Sequence, residues 1–392
     1  MAEHLPKAEW TQRADLARLV DALGADSVRW VGGCVRDTLL GITPNDIDCA
    51  TPHRPGAVID KCRAAGIRTV PTGIDHGTIT AILDGGPVEV TTLRRDVSTD
   101  GRRATVAFAD DWREDAARRD FTINALYADP VTLELSDYFG GFADLTARRV
   151  RFIGEAEDRI REDHLRILRY FRFQARFGDA LDEEAVHACQ SLASTLKGLS
   201  RERVAMELLA ILSLPDPIQT IDLMAELGVL EVILPEARAP ERASLKALVA
   251  QENAQAHQPN EIRRLAALLP AVPSVAETVA ARLRLSKAQR ARLVCAAGRT
   301  PTDAEAPRAL AYREGLDGAI DRLLLTASDS ASLSGWQVPQ LPLKGGEIVA
   351  RGIGKGPEVA RILRAVERRW IEEQFPPRER VEALLEEELA AR

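Results

Sequence analysis

The chain has 392 residues, with 52 Lys and Arg against 59 Asp and Glu, so its formal net charge is −7. Hydrophobic residues make up 45% and charged residues 28%, which is ordinary for a globular protein and excludes a collagenous or wholly disordered chain. No stretch approaches the roughly 18 apolar residues of a membrane span. Five scattered cysteines without a Cys-x-x-Cys pair argue against a disulfide framework or a structural zinc site. Because the first residues also lack a secretory signal pattern, we expect a cytoplasmic protein.

The amino-terminal part alternates between helical and strand-like patterns. Residues 14–24 predict an amphipathic helix, and residues 28–31 predict a strand that leads into a tight turn at Gly32 and Gly33. A helix is predicted at 34–40 because Gly41 ends its pattern. Further strands are predicted at 47–51, 78–83, 88–93 and 105–108.

From about residue 155 onward the pattern is helical, and we predict no strand there. Prolines between residues 215 and 301 divide this region into short helices, and residues 299–308 and 327–343 are its most loop-like stretches. The predicted fold class is therefore α+β, with a small mixed β-sheet in the amino-terminal part and an all-helical remainder.

Asp46 and Asp48 flank Ile47 at the start of a predicted strand. Side chains at positions i and i+2 of a strand share a face, so both carboxylates can meet one cation. Two carboxylates held that close repel each other, and a divalent metal relieves the repulsion. Two solvated Asp residues at a strand end would show the same pattern, so the pair predicts a metal site only together with its surroundings.

The glycine pair upstream supplies these surroundings. A strand, Gly32-Gly33 and a helix start present backbone N–H groups to an anion, and Arg36 adds a guanidinium fork for phosphate. The same pattern also marks ordinary turns. A phosphate site shortly before a metal-binding Asp pair suggests a nucleoside triphosphate with Mg²⁺. Glu89 is either a third carboxylate from a neighbouring strand or an exposed strand residue.

Arginines dominate the next two segments. Arg118 and Arg119 precede Asp120, and alone this triplet is most simply a structural ion pair. A predicted helix from Asp163 carries an apolar stripe and, on its other side, Arg166, Arg169, Arg172 and Arg176. Partly buried arginines need anionic partners, and too few acids lie on this helix to satisfy all four. The expected partners are nucleotide or RNA phosphates, or acids from other segments.

Asp163 and Arg166 also form a plausible reader of a nucleobase. Cytosine and adenine present an amino donor beside a ring-nitrogen acceptor, whereas uracil and guanine present a carbonyl beside a ring N–H. A carboxylate accepts and a guanidinium only donates, so the pair fits C and A and clashes with U and G. An i, i+3 helix salt bridge is an equally good interpretation of the two residues.

The local charge balance differs from the acidic total. Residues 148–176 hold nine Arg and five acids, and residues 344–369 hold seven Lys or Arg and three Glu, a net of +4 in each segment. Phosphate binding needs only one basic face, so the negative total does not exclude an RNA partner. Solvated helix faces would explain either segment equally well.

Taken in order, these segments resemble the bacterial-type (class II) tRNA nucleotidyltransferase and poly(A) polymerase family, most of all its CCA-adding enzymes. The resemblance is carried by residues 31–37 (VGGCVRD), 46–48 (DID), 89–94 (EVTTLR), 118–125 (RRDFTINA) and 162–169 (EDHLRILR). Order and spacing agree over residues 28–178. A weaker match at 345–357 has Glu347 where the family more often has Asp, and between 215 and 340 only helical character is similar.

The resemblance implies a nucleotidyltransferase head at 1–147, a neck that reads the base at 148–212, a body at 213–300 and a tRNA-binding tail at 301–392. It implies that Asp46 and Asp48 hold Mg²⁺ with Glu89 as a supporting carboxylate. The triphosphate would bind Gly32, Gly33, Arg36 and Arg119, and the nucleotide would also contact Asp163, Arg166, Arg169 and Arg172. The implied reaction adds C, C and A to the 3′ end of tRNA from CTP and ATP and releases pyrophosphate.

Three other functions remain open at this point. A poly(A) polymerase shares the head, but its bacterial members usually add a long basic extension, whereas this sequence ends in an acidic run. A partial CC- or A-adding enzyme is a second rival; a basic loop at 94–103 with Arg102 and Arg103 favours full CCA addition. A non-catalytic RNA-binding protein is a remote third, because a pure binder does not need clustered carboxylates. The sequence leaves the oligomeric state open.

Overall fold

The computed structural model describes residues 4–100, 103–354 and 356–391. The chain forms two compact units. The first comprises Met1–Glu207 and Gln219–Ile233, and the second comprises Leu208–Ile218 and Leu234–Arg392. None of the helices in these described residues is long and apolar enough to cross a membrane.

All strands of the described chain lie in the first unit. They are β1 (Arg29–Val31), β2 (Ile47–Thr51), β3 (Arg68–Gly73), β4 (Thr78–Leu83), β5 (Gly86–Thr92), β6 (Arg94–Asp100), β7 (Arg103–Phe108), β8 (Leu126–Ala128) and β9 (Leu135–Asp137). Seven of them form one mixed sheet in the order β3-β4-β5-β2-β1-β8-β9, and β6 pairs with β7 in a separate hairpin. The β2–β5 pair is parallel and the other pairs are antiparallel.

The centre of the sheet decides where the charged side chains lie. Every residue of β2 is buried except Asp48, which is half-buried. In β5 the side chains of Val88 and Val90 are buried, whereas Glu89 between them is exposed. Because successive strand side chains point to opposite faces, this alternation puts the apolar residues into the core and presents the carboxylates on the other face.

Helices cover the sheet and continue the first unit. They are α1 (Ala14–Leu23), α2 (Gly33–Leu39), α3 (Pro55–Ala64), α4 (Trp112–Ala117), α5 (Gly141–Thr146), α6 (Ala156–Glu162), α7 (Arg166–Phe177), α8 (Glu183–Ser191), α9 (Arg201–Leu212), α10 (Ile218–Glu226) and α11 (Val229–Ile233). The boundary between the units falls within α9, after Glu207, and the first unit resumes at Gln219 in α10. The core-facing stripe of α1 consists of Leu16, Leu19, Val20 and Leu23, which is the spacing of an amphipathic helix. In α7, Ile167, Leu168 and Phe171 are fully buried, as the predicted apolar stripe requires.

The second unit is helical throughout its described residues. Its helices are α12 (Ala239–Ala254), α13 (Glu261–Ala267), α14 (Pro273–Arg282), α15 (Lys287–Ala297), α16 (Pro307–Glu314), α17 (Leu316–Leu325), α18 (Gly345–Ala350), α19 (Pro357–Glu372) and α20 (Arg378–Ala390). Two buried arginines, Arg263 and Arg264, pair with the buried carboxylate of Glu252 at 2.6 and 2.8 Å. The last three helices pack around Trp370.

The predicted fold class is confirmed, but four strands, β3, β6, β8 and β9, were not predicted. The basic loop predicted at 94–103 is largely β6 of the hairpin; of the two arginines that favoured full CCA addition, Arg102 lies outside the described residues, as does the side chain of Arg103. Strand β3 escaped prediction because Pro71 interrupts its pattern, and β8 and β9, at three residues each, are too short for a period-2 signal.

Candidate active site

A cleft of about 520 Å³ opens on the face of the sheet that carries Asp48 and Glu89. Nine of the predicted site residues line it: Gly32, Gly33, Arg36, Asp48, Glu89, Arg119, Asp163, Arg166 and Arg169. Two predicted residues, Asp46 and Arg172, do not line it. Residues from five separate stretches of sequence therefore meet at one surface of the first unit.

The carboxylates of the cleft come from neighbouring strands. Asp48 and Glu89 are register partners in the parallel β2–β5 pair, so their side chains lie side by side on one face. Asp46 precedes β2 and is exposed. Burial and the charges of Glu89 and Asp46, opposed by the charge of Arg119, together raise the pKa of Asp48 to about 6. The uncompensated negative charge that this shift reports is the environment that a cation would stabilise.

The Gly32-Gly33 turn forms the neighbouring wall. Gly32 has a φ of 74°, a backbone conformation that favours glycine, and α2 begins at Gly33. A Cβ atom on Gly32 would lie 3.3 Å from Nη1 of Arg119 and 3.7 Å from the carbonyl oxygen of Asn124. Glycine thus allows an arginine side chain to lie directly against the turn.

Arg36 is less available than the sequence suggests. Its side chain is buried, pairs with Asp37 at 2.6 Å and donates from Nη1 to Oδ1 of Asn124 at 2.5 Å. The guanidinium also stacks on Phe177, 4.2 Å from the ring centroid. Burial lowers the pKa of Arg36 while Asp37 raises it. Arg36 therefore lines the cleft with its guanidinium already bound to Asp37 and Asn124. The sequence had predicted a guanidinium that binds phosphate.

The paired arginines find a different acid from the one their sequence suggests. Arg118 and Arg119 pair with Asp115, at 2.9 and 3.2 Å, and not with Asp120. Asp120 pairs with Arg169 at 2.6 Å. The expected local ion pair exists, but its acid is Asp115 and not Asp120. The Asp120 carboxylate is occupied by Arg169 of α7.

The two residues of the proposed base reader lie close together in the cleft without pairing. Asp163 has a φ of −150° and follows the end of α6, so the predicted helix starts three residues later, at Arg166. The Asp163 carboxylate pairs with Arg203 at 2.6 Å, and Arg166 pairs with Glu162 at 2.5 Å. The alternative of an i, i+3 helix salt bridge is thereby contradicted.

The remaining arginines of α7 have acidic partners from distant segments. Arg172 pairs with Glu207 at 2.6 Å, and Arg176 with Asp37 at 3.4 Å. The sequence-based inference that α7 lacks enough acids was correct for the helix itself, but tertiary contacts supply them. These ion pairs weaken the case for phosphate as the partner of Arg172.

Among the lining residues that sequence reasoning missed, six carry polar or charged side chains that can bind a ligand: Thr91, Arg94, Arg118, Asp120, Asn124 and Arg203. Five of them lie within the strings that carry the family resemblance, so membership of a matching string was the available signal. Arg203 lies on α9, 40 residues after its partner Asp163, and no local pattern marked it.

Comparisons with known proteins identify the family to which the sequence is similar. The family model for the poly A polymerase head domain matches residues 28–151, and the model for the probable RNA and SrmB-binding site of polymerase A matches residues 180–239. The mitochondrial CCA tRNA nucleotidyltransferase 1 of Mus musculus is 37% identical over 367 residues, which cover 88% of this chain and 82% of the mouse protein. The human protein of the same name is 36% identical with the same coverage.

A solved structure extends the similarity to the fold. The CCA-adding enzyme of Bacillus stearothermophilus, in complex with CTP, superimposes with a TM-score of 0.77 and 26% identity. The match covers 96% of this chain and 98% of that enzyme. The Thermotoga maritima CCA-adding enzyme, complexed with tRNA, matches with a TM-score of 0.69 at 23% identity and bears on the fold alone.

Proposed function

The chain belongs to the CCA tRNA nucleotidyltransferases, and on that premise we propose that it adds C, C and A to the 3′ end of tRNA without a nucleic-acid template. CTP and ATP are the substrates, and pyrophosphate is released. The observation that carries this proposal is the juxtaposition, in one cleft, of Asp48 and Glu89 with Arg119 and the Asp163–Arg166 pair. The first group suits a triphosphate with a cation, and the second suits a base edge.

In the proposed reaction the 3′-hydroxyl of tRNA attacks the α-phosphate of the nucleotide, and the bond to pyrophosphate breaks. The transferred group is charged throughout, so positioning and electrostatic stabilisation are the main means of catalysis. Gly32 and Gly33 would bind the triphosphate through the turn, with Arg119 against it. Arg36, Arg169 and Arg172 are also assigned to the nucleotide; like Arg119 and Arg166, each of them already has an acidic partner.

The carboxylates suit magnesium as the metal. In the described residues there is no cluster of three or more His, Cys, Asp or Glu side chains that could hold an ion alone. Magnesium commonly binds through one or two carboxylates together with substrate phosphates, so Asp46 and Asp48 with Glu89 nearby fit it. Bound there, magnesium would lower the pKa of the attacking hydroxyl and stabilise the leaving oxygen. The raised pKa of Asp48 supports a cation at this position.

Base selection is assigned to Asp163 and Arg166. The carboxylate would accept from the exocyclic amino group of C or A, and the guanidinium would donate to the ring nitrogen. A mismatched U or G would leave buried polar groups unpaired, at a cost of about 1–3 kcal/mol each. The contacts of Asp163 with Arg203 and of Arg166 with Glu162 hold both groups at the cleft wall.

We extend the proposal to the domain roles implied by the resemblance. Residues 1–147 would form the catalytic head, 148–212 the neck, 213–300 the body and 301–392 the tRNA-binding tail. A cytoplasmic location also stays a prediction, since the mouse and human relatives are named as mitochondrial proteins.

The function is tested with purified protein, Mg²⁺ and a tRNA that lacks its 3′ CCA. CTP alone should extend the tRNA by two nucleotides, and CTP with ATP by three, as measured on a sequencing gel. Long ATP-dependent tails would instead indicate a poly(A) polymerase, and arrest after two nucleotides a CC-adding enzyme. If no nucleotide is incorporated although the protein is folded and binds tRNA, the non-catalytic alternative is correct.

A further inference from the structure

One buried carboxylate beneath the cleft has no role in the mechanism described so far. Asp115 lies on α4, is 1% exposed and does not line the cleft itself. It lies behind Arg118 and Arg119, which do line it. Any effect of Asp115 on the reaction must therefore act through the residues that it holds.

Asp115 accepts four hydrogen bonds, two on each oxygen. Oδ1 accepts from the Nε of Arg118 at 2.9 Å and from the backbone N–H of Arg94 at 3.2 Å. Oδ2 accepts from the hydroxyl of Tyr127 at 2.7 Å and from Nη2 of Arg119 at 3.2 Å. The Tyr127 hydroxyl in turn accepts from the Nε of Arg119 at 3.1 Å. Asp115 and Tyr127 thus bind two of the three guanidinium nitrogens of Arg119.

Electrostatics keep this carboxylate charged. Burial alone would raise the pKa of Asp115, but the charges of Arg119 and Arg118 outweigh burial and hold the pKa at about 2. In a low-dielectric site a charge-assisted hydrogen bond is stronger and more directional than one in water. Asp115 therefore stays ionised, and keeps its ion pairs with both arginines, at any pH well above 2.

These contacts also determine where Arg119 points. The third nitrogen of its guanidinium, Nη1, donates a long hydrogen bond of 3.5 Å to the backbone carbonyl oxygen of Asn124 and lies 3.3 Å from the position of a Cβ on Gly32. The turn at Gly32 is the proposed triphosphate site. Asp115 and Tyr127 hold Nη2 and Nε of Arg119, so Nη1 is the nitrogen that would face the phosphates. An arginine has several rotatable bonds, and fixing them before the ligand binds reduces the entropic cost of binding.

We propose that Asp115 is a positioning residue for nucleotidyl transfer: it aims the Arg118–Arg119 pair at the triphosphate and anchors the first residue of the β6–β7 hairpin to the same wall. Tyr127 is its partner in orienting Arg119. This inference rests on the proposed function, because it assumes that a triphosphate binds at the Gly32 turn. It assigns Asp115 no contact with the base, whose recognition we assign to Asp163 and Arg166.

The test compares two isosteric changes at equally buried carboxylates. Asp115→Asn removes the charge that aligns the arginines. Asp144→Asn is the matched control: Asp144 is also 1% exposed and also pairs with two arginines, at 2.5 and 2.8 Å, but those arginines, Arg149 and Arg151, do not line the cleft. Thermal unfolding, KM for CTP, kcat and inhibition by inorganic tripolyphosphate are measured for both, along with the preference for CTP and ATP over UTP and GTP.

For Asp115→Asn we expect KM for CTP and the inhibition constant of tripolyphosphate to rise together by about tenfold, which corresponds to about 1.4 kcal/mol. Base preference should be unchanged, since Asp163 and Arg166 are untouched. Asp144→Asn should lose stability but keep both constants within about twofold of the parent values. A purely structural role for Asp115 would move stability without moving the tripolyphosphate constant.

The inference is overturned if Asp115→Asn folds and binds CTP and tripolyphosphate like the parent, or if Asp144→Asn weakens both to the same extent. If Asp115→Asn fails to fold, Tyr127→Phe is used instead, because it removes only one hydroxyl. It should raise the inhibition constant of tripolyphosphate by about threefold. Inhibition like that of the parent would refute the positioning role. If the parent protein itself incorporates no nucleotide, the proposed function fails and not merely this inference.

Discussion

The half-buried carboxylate of Asp48 should lower the stability of the fold while it supports the reaction, and both effects can be measured. In the folded protein its pKa is raised from 3.8 to about 6. The folded state holds the proton more tightly than the unfolded state. The contribution of this group to the free energy of unfolding is therefore lost as the pH rises from about 4 to 6, and the loss is complete above pH 6. About two pKa units, at about 1.4 kcal/mol each, set an upper bound of about 3 kcal/mol for this effect at neutral pH.

Asp48→Asn removes this charge at nearly constant shape. In the absence of divalent cations at pH 7.5, the variant should therefore unfold with a free energy about 1–3 kcal/mol higher than the parent, the lower part of the range allowing for screening by solvent. The difference should shrink as the pH falls through 6 and disappear below pH 4, where the parent carboxyl is protonated in both states. Nucleotide incorporation should drop by at least about a thousandfold.

Urea unfolding at several pH values, in chelator and again with Mg²⁺, measures the stability, and incorporation of labelled CTP measures the activity. Magnesium should narrow the stability difference, because it binds only the parent carboxylate. Asp60→Asn is the matched control: its side chain is 72% exposed, and its substitution should change stability by no more than about 0.5 kcal/mol. If Asp48→Asn is no more stable than the parent at pH 7.5, or stays active, the electrostatic account of the cleft is wrong.

Three further predictions address the other parts of the site. Arg166→Ala should reduce the preference for CTP and ATP over UTP and GTP by about tenfold or more in kcat/KM; unchanged selectivity would remove Arg166 from base reading. Gly32→Ala should raise KM for CTP, because a φ of 74° strains a residue with a Cβ and that Cβ, 3.3 Å from Nη1 of Arg119, would push the guanidinium away from the turn; Gly41→Ala, with φ of 71° but nothing within 4 Å, is the control for backbone strain alone. Affinity for tRNA should fall steeply with added salt despite the net charge of −7, and a flat salt dependence in filter binding would contradict RNA binding through basic faces.

Much of the fold could be predicted from local pattern. Strands β2 and β4 have the predicted bounds, and α1 differs by one residue, because their apolar spacing and flanking Gly, Asp and Pro residues are local signals. The predicted neighbouring strand for Glu89 is also the one observed, since β5 is the parallel partner of β2. The hairpin strand β6 was mistaken for a loop because its polar sequence lacks the alternation of a half-buried strand.

Which charged groups meet was decided by the tertiary structure. The sequence placed Asp163 on the same helix as Arg166, whereas α6 ends at Glu162 and Asp163 pairs with Arg203 of α9. It paired the arginines at 118 and 119 with Asp120, whereas tertiary contacts pair Asp120 with Arg169 and leave the two arginines to Asp115, three and four residues before them.

The sequence by itself determined which residue types are available for metal, phosphate and base, since strand and helix periodicity are properties of a few neighbouring residues. Only the folded chain decided the partners, because an ion pair depends on distance in space, and residues 40 or more positions apart are brought together by packing that no local pattern encodes.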